Sequence, residues 1–575
     1  MALSGETQSR INQWLTSSVI DEDSKKEIQR LIDNGNEKEL TDSFYKELEF
    51  GTGGLRGVMG VGSNGMNPYT LGKATQGLAN YLNKTYPNTP IQVAIAYDSR
   101  NNSQRFAQIT ANIFSANNIK VFLFNELRPT PLLSFAIRYL NCQSGVVITA
   151  SHNPKEYNGY KAYWNDGAQV VPPHDKNIIT EVNAVTSFEQ IRFAPIESLI
   201  RPVPIEVEQA YYEEVKKLIP NKKAIAAHHA MPIVYTNIHG AGITMVPECL
   251  KQIGFTNVQI VEEQASPDGN FPTVQSPNPE ERSAMEMVIK KGTAVNADMV
   301  MATDPDTDRV GIGVRKPSRE FILLNGNQAF SLMMWFILKN QTTTQNAYIA
   351  KTIVTSELVD DMAKALNVEC FNTLTGFKYI AEVMKQQEGK KRFIAAGEES
   401  YGYMVGDFVR DKDAVSACAF FAAMAASAKA EGKTIYDWLI DMYVEFGFYK
   451  ESLITLTKKG QQGEQEIKAM MAKFRQAAPQ TINGVATLRA LDYQSGMEKN
   501  LQTGKEATLN FPKSDVLQYY LADDSKVSVR PSGTEPKIKF YISVQAKLAS
   551  HNEYENLNTV LDKKLKDIEA YLMAL

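Results

Sequence analysis

The sequence predicts an α/β architecture of about four domains, and three observations carry that expectation. Short apolar, β-branched runs alternate along the chain with helix-like stretches. Several of these runs are apolar almost throughout, as strands of a sheet covered on both faces must be. The chain is 575 residues long, which at ~150 residues per domain is too much for one core and enough for several. Composition agrees: 43% hydrophobic and 22% charged residues, with 35 Gly and 24 Pro, exclude disordered, collagen-like and coiled-coil chains.

A polar N-terminal extension comes first, with SKKEIQRLID (Ser24 to Asp33) expected as a helix. Strands are expected at Ile91 to Asp98, Lys120 to Asn125, Gly145 to Ala150, Pro232 to Asn237, Asp298 to Thr303 and Arg392 to Gly397. The stretch Phe188 to Glu206 carries Pro195, Pro202 and Pro204 with few helix signals and marks a domain boundary. Further boundaries are expected near Arg315 to Ile322 and in the polar Lys458 to Gln465, giving segments 1–204, 205–320, 321–457 and 458–575. The uncharged run Ala414 to Ala428 lies between Asp413 and Lys429. It falls short of the ~20 residues of a spanning helix and reads as a buried core helix.

Basic residues number 61 and acidic ones 65, a net charge of −4. No global field therefore draws the chain to nucleic acid or an anionic membrane, and any phosphate affinity must be local. Cys142, Cys249, Cys370 and Cys418 are scattered without a C-x-x-C pair, which suits reduced, mostly buried thiols. The opening MALSGETQSRINQWL has no apolar stretch of the kind an export signal needs, so a cytoplasmic protein is expected.

What organises the chain chemically is a recurrence of strands that run into loops dense in small, polar and charged residues. Four stand out: TASHNPKEYNGYK (Thr149 to Lys161), TDPDTDRVG (Thr303 to Gly311), GEESYGY (Gly397 to Tyr403) and RPSGTEPKIK (Arg530 to Lys539). Ligands of open α/β sheets bind beyond the carboxyl ends of strands, so such loops are candidates for one cleft. In DPDTD, Asp304, Asp306 and Asp308 alternate around Pro305. Oxygen-only ligands select a hard cation, and three without a long cage suit Mg²⁺. An EF-hand would need Gly and Glu where Arg309 and Arg315 stand. Spacing alone equally fits a solvated acidic turn.

Ser151, between Ala150 and His152, would be presented at a strand end, which suits a nucleophile or phosphate carrier; the alternative is a plain Ser-Asn-Pro turn. Thr149 and Asn153 stand where a serine-hydrolase elbow requires glycines. Around Gly533, the residues Arg530, Ser532, Thr534 and Lys537 supply the guanidinium, hydroxyl and amide donors of a phosphate site, or form a surface turn. The one Walker-like fragment, Gly432 to Thr434, has Ser427 where the earlier glycine belongs. Glu398 and Ser400 suit vicinal sugar hydroxyls, and Lys412 between Asp411 and Asp413 is either a solvated charge or a proton carrier. His152, His239 and Lys412 are the candidates for moving a proton.

In this order and at these separations the four loops resemble the α-D-phosphohexomutase family, the phosphoglucomutases and phosphomannomutases. With FGTGGLRGVMG (Phe50 to Gly60), Met66, Asn67 and LTGFKYI (Leu374 to Ile380), they look nearest to its phosphopentomutase-like phosphoglucomutase branch. The resemblance implies three related α/β domains and a C-terminal α+β domain around a central cleft. On it, segment 1–204 carries the phosphoserine, 205–320 the magnesium, 321–457 the sugar and 458–575 the phosphate. Ser151 would carry the phosphoryl group and, with Asp304, Asp306 and Asp308, hold Mg²⁺. Arg56, His152 and Lys412 would serve the transfer. Arg309, Thr375, Gly376, Glu398, Ser400, Arg530, Ser532, Gly533, Thr534 and Lys537 would bind substrate.

The implied reaction is an isomerisation of glucose, or also mannose, 1- and 6-phosphates through a phosphoserine and a bisphosphate, with glucose 1,6-bisphosphate as activator. Phosphopentomutase and sugar-1,6-bisphosphate synthase are the rival activities, and a metal-dependent sugar phosphatase is a more distant one. The expected partner is a small phosphosugar, not nucleic acid or membrane, and the expected state a monomer or dimer. Tyr401 and Tyr403 depart from the commoner hexose pattern of the sugar loop.

Overall fold

The computed structural model describes residues 3–51, 53–458, 460–532 and 537–574. The chain forms two compact units, one of Met1–Gly326 with Ala381–Gly432 and one of Asn327–Ile380 with Lys433–Leu575.

The first unit opens with three helices, Gly5–Thr16, Glu22–Asp33 and Glu37–Phe44. Ser4 and Asp21 cap the first two by accepting from backbone N–H groups three residues on. Their apolar stripes close around Trp14, which meets Phe44, Tyr69 and Phe188 edge-on at ring distances of 5.7, 5.4 and 5.4 Å.

A six-stranded sheet follows, in the order Gly54–Val58, Tyr157–Trp164, Ser144–Ile148, Gln92–Tyr97, Lys120–Leu123 and Ile200–Pro202. The last four run parallel, and the first two add an antiparallel edge. Val93, Ile95, Val146 and Ile148 are fully buried, which is why these strands read as unbroken apolar runs. A second, five-stranded sheet is ordered Phe321–Leu324, Val310–Arg315, Met299–Thr303, Ile233–Thr236 and Val258–Ile260. A hairpin of Arg392–Glu398 and Gly402–Val405 precedes the helix Ala414–Ala430, whose residues are buried from Ala414 to Ala428, as expected of the uncharged run.

In the second unit, Ala347–Thr352 pairs in parallel with Glu369–Thr373. The C-terminal part is an antiparallel sheet built on Phe448–Thr457, Lys537–Ala546, Lys526–Pro531, Leu517–Leu521 and Val485–Asp492, with the helices Gly460–Gln476 and Tyr554–Met573. The chain is thus α/β with a C-terminal α+β part. No described helix is long and apolar enough to cross a membrane.

The motif loops are shorter than the sequence suggested. Tyr157 to Lys161 belong to a strand, and the segments 149–156, 304–309 and 399–401 each connect two antiparallel strands; of the fourth motif, Arg530, Pro531 and Lys537 to Lys539 lie on two antiparallel strands. Each connection leaves the carboxyl end of its first strand. The chain then returns as an antiparallel neighbour where a helical crossover would be the alternative. Within the expected boundary region Arg315 to Ile322, the segment 316–320 joins Val310–Arg315 to Phe321–Leu324 as a hairpin, and the units change at Gly326.

Candidate active site

Ser151 sits in the left-handed region, φ 53°, where a non-glycine residue stays only if its surroundings hold it. Arg100 and Asp98, at the end of the strand Gln92–Tyr97, do so. Thr149 Oγ1 donates to Asp98 Oδ2 at 2.6 Å and accepts from the Ser151 N–H at 2.8 Å. The Arg100 guanidinium donates to the carbonyls of Ser151 (2.5 Å), Pro154 (2.9 Å), Tyr157 (3.1 Å) and Asn153. Four carbonyls on one buried cation lock the turn. Neither residue was singled out from sequence, although their strand ends in the same polar, charged way as the four motif loops.

Ser151 Oγ donates to Asp304 Oδ2 at 2.7 Å and lies 3.3 Å from His152 Nδ1. Burial, with the charges of Arg309, Arg56 and Arg100, holds the His152 ring well below its ordinary pKa and so neutral. Arg56 is exposed on the edge strand Gly54–Val58 and reaches Asn153 Oδ1 at 3.3 Å.

Asp304, Asp306 and Asp308 are buried in the connection 304–309, with one oxygen from each within 4.8 Å of the others. Asp304 Oδ1 accepts from the N–H groups of Asp308 (3.1 Å) and Arg309 (3.0 Å), which closes the loop. Asp306 Oδ2 accepts from Lys161 Nζ (2.7 Å) and Thr130 Oγ1 (3.1 Å), while Asp306 Oδ1 and Asp308 Oδ1 are buried without a hydrogen-bond partner among the described residues. Burial and the two neighbouring carboxylates push Asp304 well above the usual range. Burial also opposes ionisation of Asp306, but Lys161 and Lys412 outweigh it and hold that carboxyl below its ordinary value. Orphaned oxygens and a carboxylate that cannot ionise beside its neighbours are what a hard divalent cation relieves, so the donor set fits Mg²⁺. A solvated acidic turn is excluded, because the three residues are no more than 1% exposed.

Three cations face this triad. Lys161, whose place on the strand Tyr157–Trp164 aims it inward, also lies 3.2 Å from Asp308 Oδ2. Lys412 Nζ is 3.1 Å from both Asp308 Oδ2 and Asp411 Oδ1. Burial disfavours its charge, but Asp308, Asp411 and Glu398 more than offset that and raise its pKa above the ordinary range. Arg309 pairs with Glu280 and has Nε 3.8 Å from Asp308 Oδ1. Glu398 ends the strand Arg392–Glu398, close enough for its charge to act on Lys412 and Arg309, and Ser400 follows in the turn. Gly402, opposite Glu398, is required: a Cβ there would sit 2.1 Å from Lys412 Cδ.

The first unit therefore brings together Arg56, Ser151, His152, the three aspartates, Arg309, Glu398 and Lys412. Thr375, Gly376, Arg530, Ser532 and Lys537 belong to the second unit. Gly376 (φ 116°) precedes the helix Phe377–Gln387, and Ser532 N–H donates to Lys537 O at 2.7 Å at the end of the paired strands Lys526–Pro531 and Lys537–Ala546. Gly533 and Thr534 lie outside the described residues. His239 is committed elsewhere, with Nδ1 3.0 Å from Ser266 O and Nε2 2.9 Å from Thr273 Oγ1. Tyr403 is fully buried and packs edge-on against Phe421. The Walker-like Thr434 caps the helix Ile435–Phe446 in a capping box with Asp437.

Comparison with known proteins agrees with this fold. Three domain descriptions match in sequence: phosphoglucomutase/phosphomannomutase α/β/α domain I over residues 47–189, domain II over 209–317 and domain III over 325–446. A phosphoglucomutase of Staphylococcus aureus is 37% identical over 522 residues, 90% of this chain and 93% of its own. One of Staphylococcus epidermidis is 35% identical over 537 residues, 93% of this chain and 96% of its own. Among solved structures, parafusin, a phosphoglucomutase of Paramecium in an open form, superposes with a TM-score of 0.68 at 18% identity, covering 91% of this chain and 95% of that one. A putative phosphomannomutase of Thermus thermophilus gives 0.65 at 21% identity, covering 90% and 99%. Sequence along nearly the whole length and a shared fold lead to one conclusion: the chain belongs to the phosphoglucomutase/phosphomannomutase family.

Proposed function

We propose that this sugar-phosphate mutase interconverts the 1- and 6-phosphates of glucose, and secondarily of mannose, through a phosphorylated Ser151 and a bisphosphate. One observation supports the reading above others: Ser151 Oγ is hydrogen-bonded to a buried aspartate of a triad faced by Lys161, Lys412 and Arg309. Phosphoryl transfer asks a protein mainly for positioning and charge stabilisation, and this cluster supplies both.

In the first half-reaction a sugar hydroxyl attacks the phosphate on Ser151. The Ser151 Oγ–P bond breaks, the sugar O–P bond forms, and the hydroxyl proton ends on the freed Ser151 Oγ. The bisphosphate turns over in the site and returns its other phosphate to Ser151 Oγ. His152, held neutral, is the group able to exchange a proton at Ser151 Oγ, and Lys412, held charged, is a donor to the sugar oxygen. Arg56 and Arg309 face the transferring phosphate, and Glu398 and Ser400 accept from sugar hydroxyls. A divalent cation, Mg²⁺, held by Asp304, Asp306, Asp308 and Ser151 would offset charge on the transferring group. The phosphate that does not react is assigned to Arg530, Ser532, Gly533, Thr534 and Lys537 on the chemistry of their donors, with Thr375 and Gly376 against the sugar.

Intact mass of the purified protein is expected to show one phosphate in a fraction of molecules, lost in Ser151→Ala together with turnover. Product analysis with glucose, mannose and ribose 1-phosphates, with and without glucose 1,6-bisphosphate, separates the mutases and a bisphosphate synthase. Free sugar and inorganic phosphate as main products would overturn the isomerase reading, and full turnover by Ser151→Ala would overturn the phosphoserine.

A further inference from the structure

Glu280 was not singled out in the sequence and has no part in the chemistry above, yet the fold takes trouble to place it. It lies in the turn 276–281. Asn278 orders that turn by accepting the Glu280 N–H on its side chain (3.2 Å) and the Glu281 N–H on its carbonyl (3.0 Å). The turn is pressed onto the strand Val310–Arg315 at Gly311, where an added Cβ would stand 2.7 Å from Pro279 O. Ser276 Oγ, 3.5 Å from His152 O, ties the same turn to the Ser151 loop. So anchored, the Glu280 carboxylate meets the Arg309 guanidinium in a direct ion pair.

Arg309 is the cation this pair controls. Its backbone closes the aspartate loop through Asp304, its Nε stands 3.8 Å from Asp308 Oδ1, and that nitrogen is buried without a hydrogen-bond partner among the described residues. The guanidinium therefore spans Glu280 and Asp308, and its charge reaches His152. An unopposed guanidinium here would grip any phosphate strongly, since charge-assisted, bidentate pairs in a poorly hydrated site are among the tightest polar contacts. A mutase must release that grip in every cycle, because the bisphosphate has to exchange its two ends.

We propose that Glu280 is a positioning residue that fixes the Arg309 guanidinium and offsets its charge, keeping the bound phosphosugar loose enough to reorient between half-reactions. The inference rests on the mutase reading. It places Glu280 among the residues that set the ratio of ground-state binding to turnover, because binding substrate more tightly without stabilising the transition state lowers KM and slows the cycle.

Glu280→Gln keeps a side chain of the same size and an acceptor oxygen but removes the charge. Its KM for glucose 1-phosphate and its half-saturating glucose 1,6-bisphosphate are expected to fall about 3- to 10-fold, with kcat falling by a similar factor. Glu280→Asp, which retains the charge, is expected to keep KM within about twofold. In an Arg309→Gln background the Glu280→Gln change is expected to leave KM where Arg309→Gln alone puts it. A merely structural role would lower Tm and raise KM in both Glu280 variants. KM raised or unchanged in a folded Glu280→Gln overturns the inference, as does an equal drop in the Arg309→Gln background. Calorimetric binding of glucose 1,6-bisphosphate reads the same charge without turnover. Tighter binding by Glu280→Gln in a chain lacking mutase activity would leave the charge effect standing and overturn the assigned activity. Equal or weaker binding in an active enzyme would overturn the inference alone.

Discussion

Asp306 shows what single residues do in this site. Lys161 and Thr130 take one of its oxygens, and the other is buried with no hydrogen-bond partner among the described residues. Asp306→Asn keeps the shape, removes one charge from the donor set and replaces one carboxylate oxygen with an amide nitrogen, which a cation does not coordinate. Activity is expected to fall at least ~100-fold, with half-saturation moved to higher Mg²⁺ in a metal titration. A rate equal to the parent's across that titration would overturn the assignment. Asp304, Asp306 and Asp308 were legible because they are neighbours in sequence, and alternation in a Pro turn already suggests convergence. Lys161 and Arg100 were not. Lys161 was read as the tail of a loop, whereas it stands on a strand whose register aims it at the triad. Arg100 acts on carbonyls more than 50 positions away, at Ser151, Asn153, Pro154 and Tyr157. No local pattern announces that kind of role.

At the level of elements, the recurring device is a strand, a short connection and an antiparallel return. It presents Ser151, the aspartates and Glu398 in the first unit, and in the second Arg530 and Lys537 stand on two antiparallel strands. Sequence reading found six of the strands, most of them buried and apolar, but missed others such as Ala347–Thr352 and extended the loops too far: YNGYK looks polar although it stands on a strand. The N-terminal helices were legible only at Ser24 to Asp33. Gly5–Thr16 is anchored by Trp14, which is 1% exposed and meets three aromatic rings. Those rings come from residues up to Phe188, so the short polar segment does not reveal its one anchor. Trp14→Ala is expected to destabilise the first unit by about 3–5 kcal/mol, the usual cost of emptying a large buried aromatic site. Denaturant unfolding checks the value, and turnover per folded molecule is expected to stay at the parent's level.

For the molecule as a whole, the response to pH is expected to come in part from the second unit. There a polar seam joins the strand Ala347–Thr352 and its following turn to the C-terminal sheet. Lys351 Nζ pairs with Asp360 at 2.8 Å, and Lys526 Nζ pairs with Glu357 at 3.4 Å and donates to Ile353 O at 3.3 Å. Tyr520 Oη donates to Glu357 at 2.9 Å, and Gln518 Nε2 donates to Ile353 O at 2.8 Å. Glu451, on the strand Phe448–Thr457, adds a further carboxyl whose Oε1 is buried with no hydrogen-bond partner among the described residues. Burial pushes its pKa up to about 7 from 4.5, against the pull of Ser356, Lys526 and Lys351. A carboxyl raised on folding binds its proton more tightly in the native state. Its contribution is therefore complete below pH 4.5 and is lost as pH rises through about 7. At ~1.4 kcal/mol per pK unit the loss is about 3 kcal/mol for the whole span. Glu451→Gln stays neutral at every pH, so its Tm is expected to exceed the parent's at pH 8 and to match it near pH 4.5, where both side chains are uncharged. Thermal unfolding of the two proteins across that range checks the sign: equal slopes of Tm against pH would show that Glu451 ionises in the fold as freely as in water.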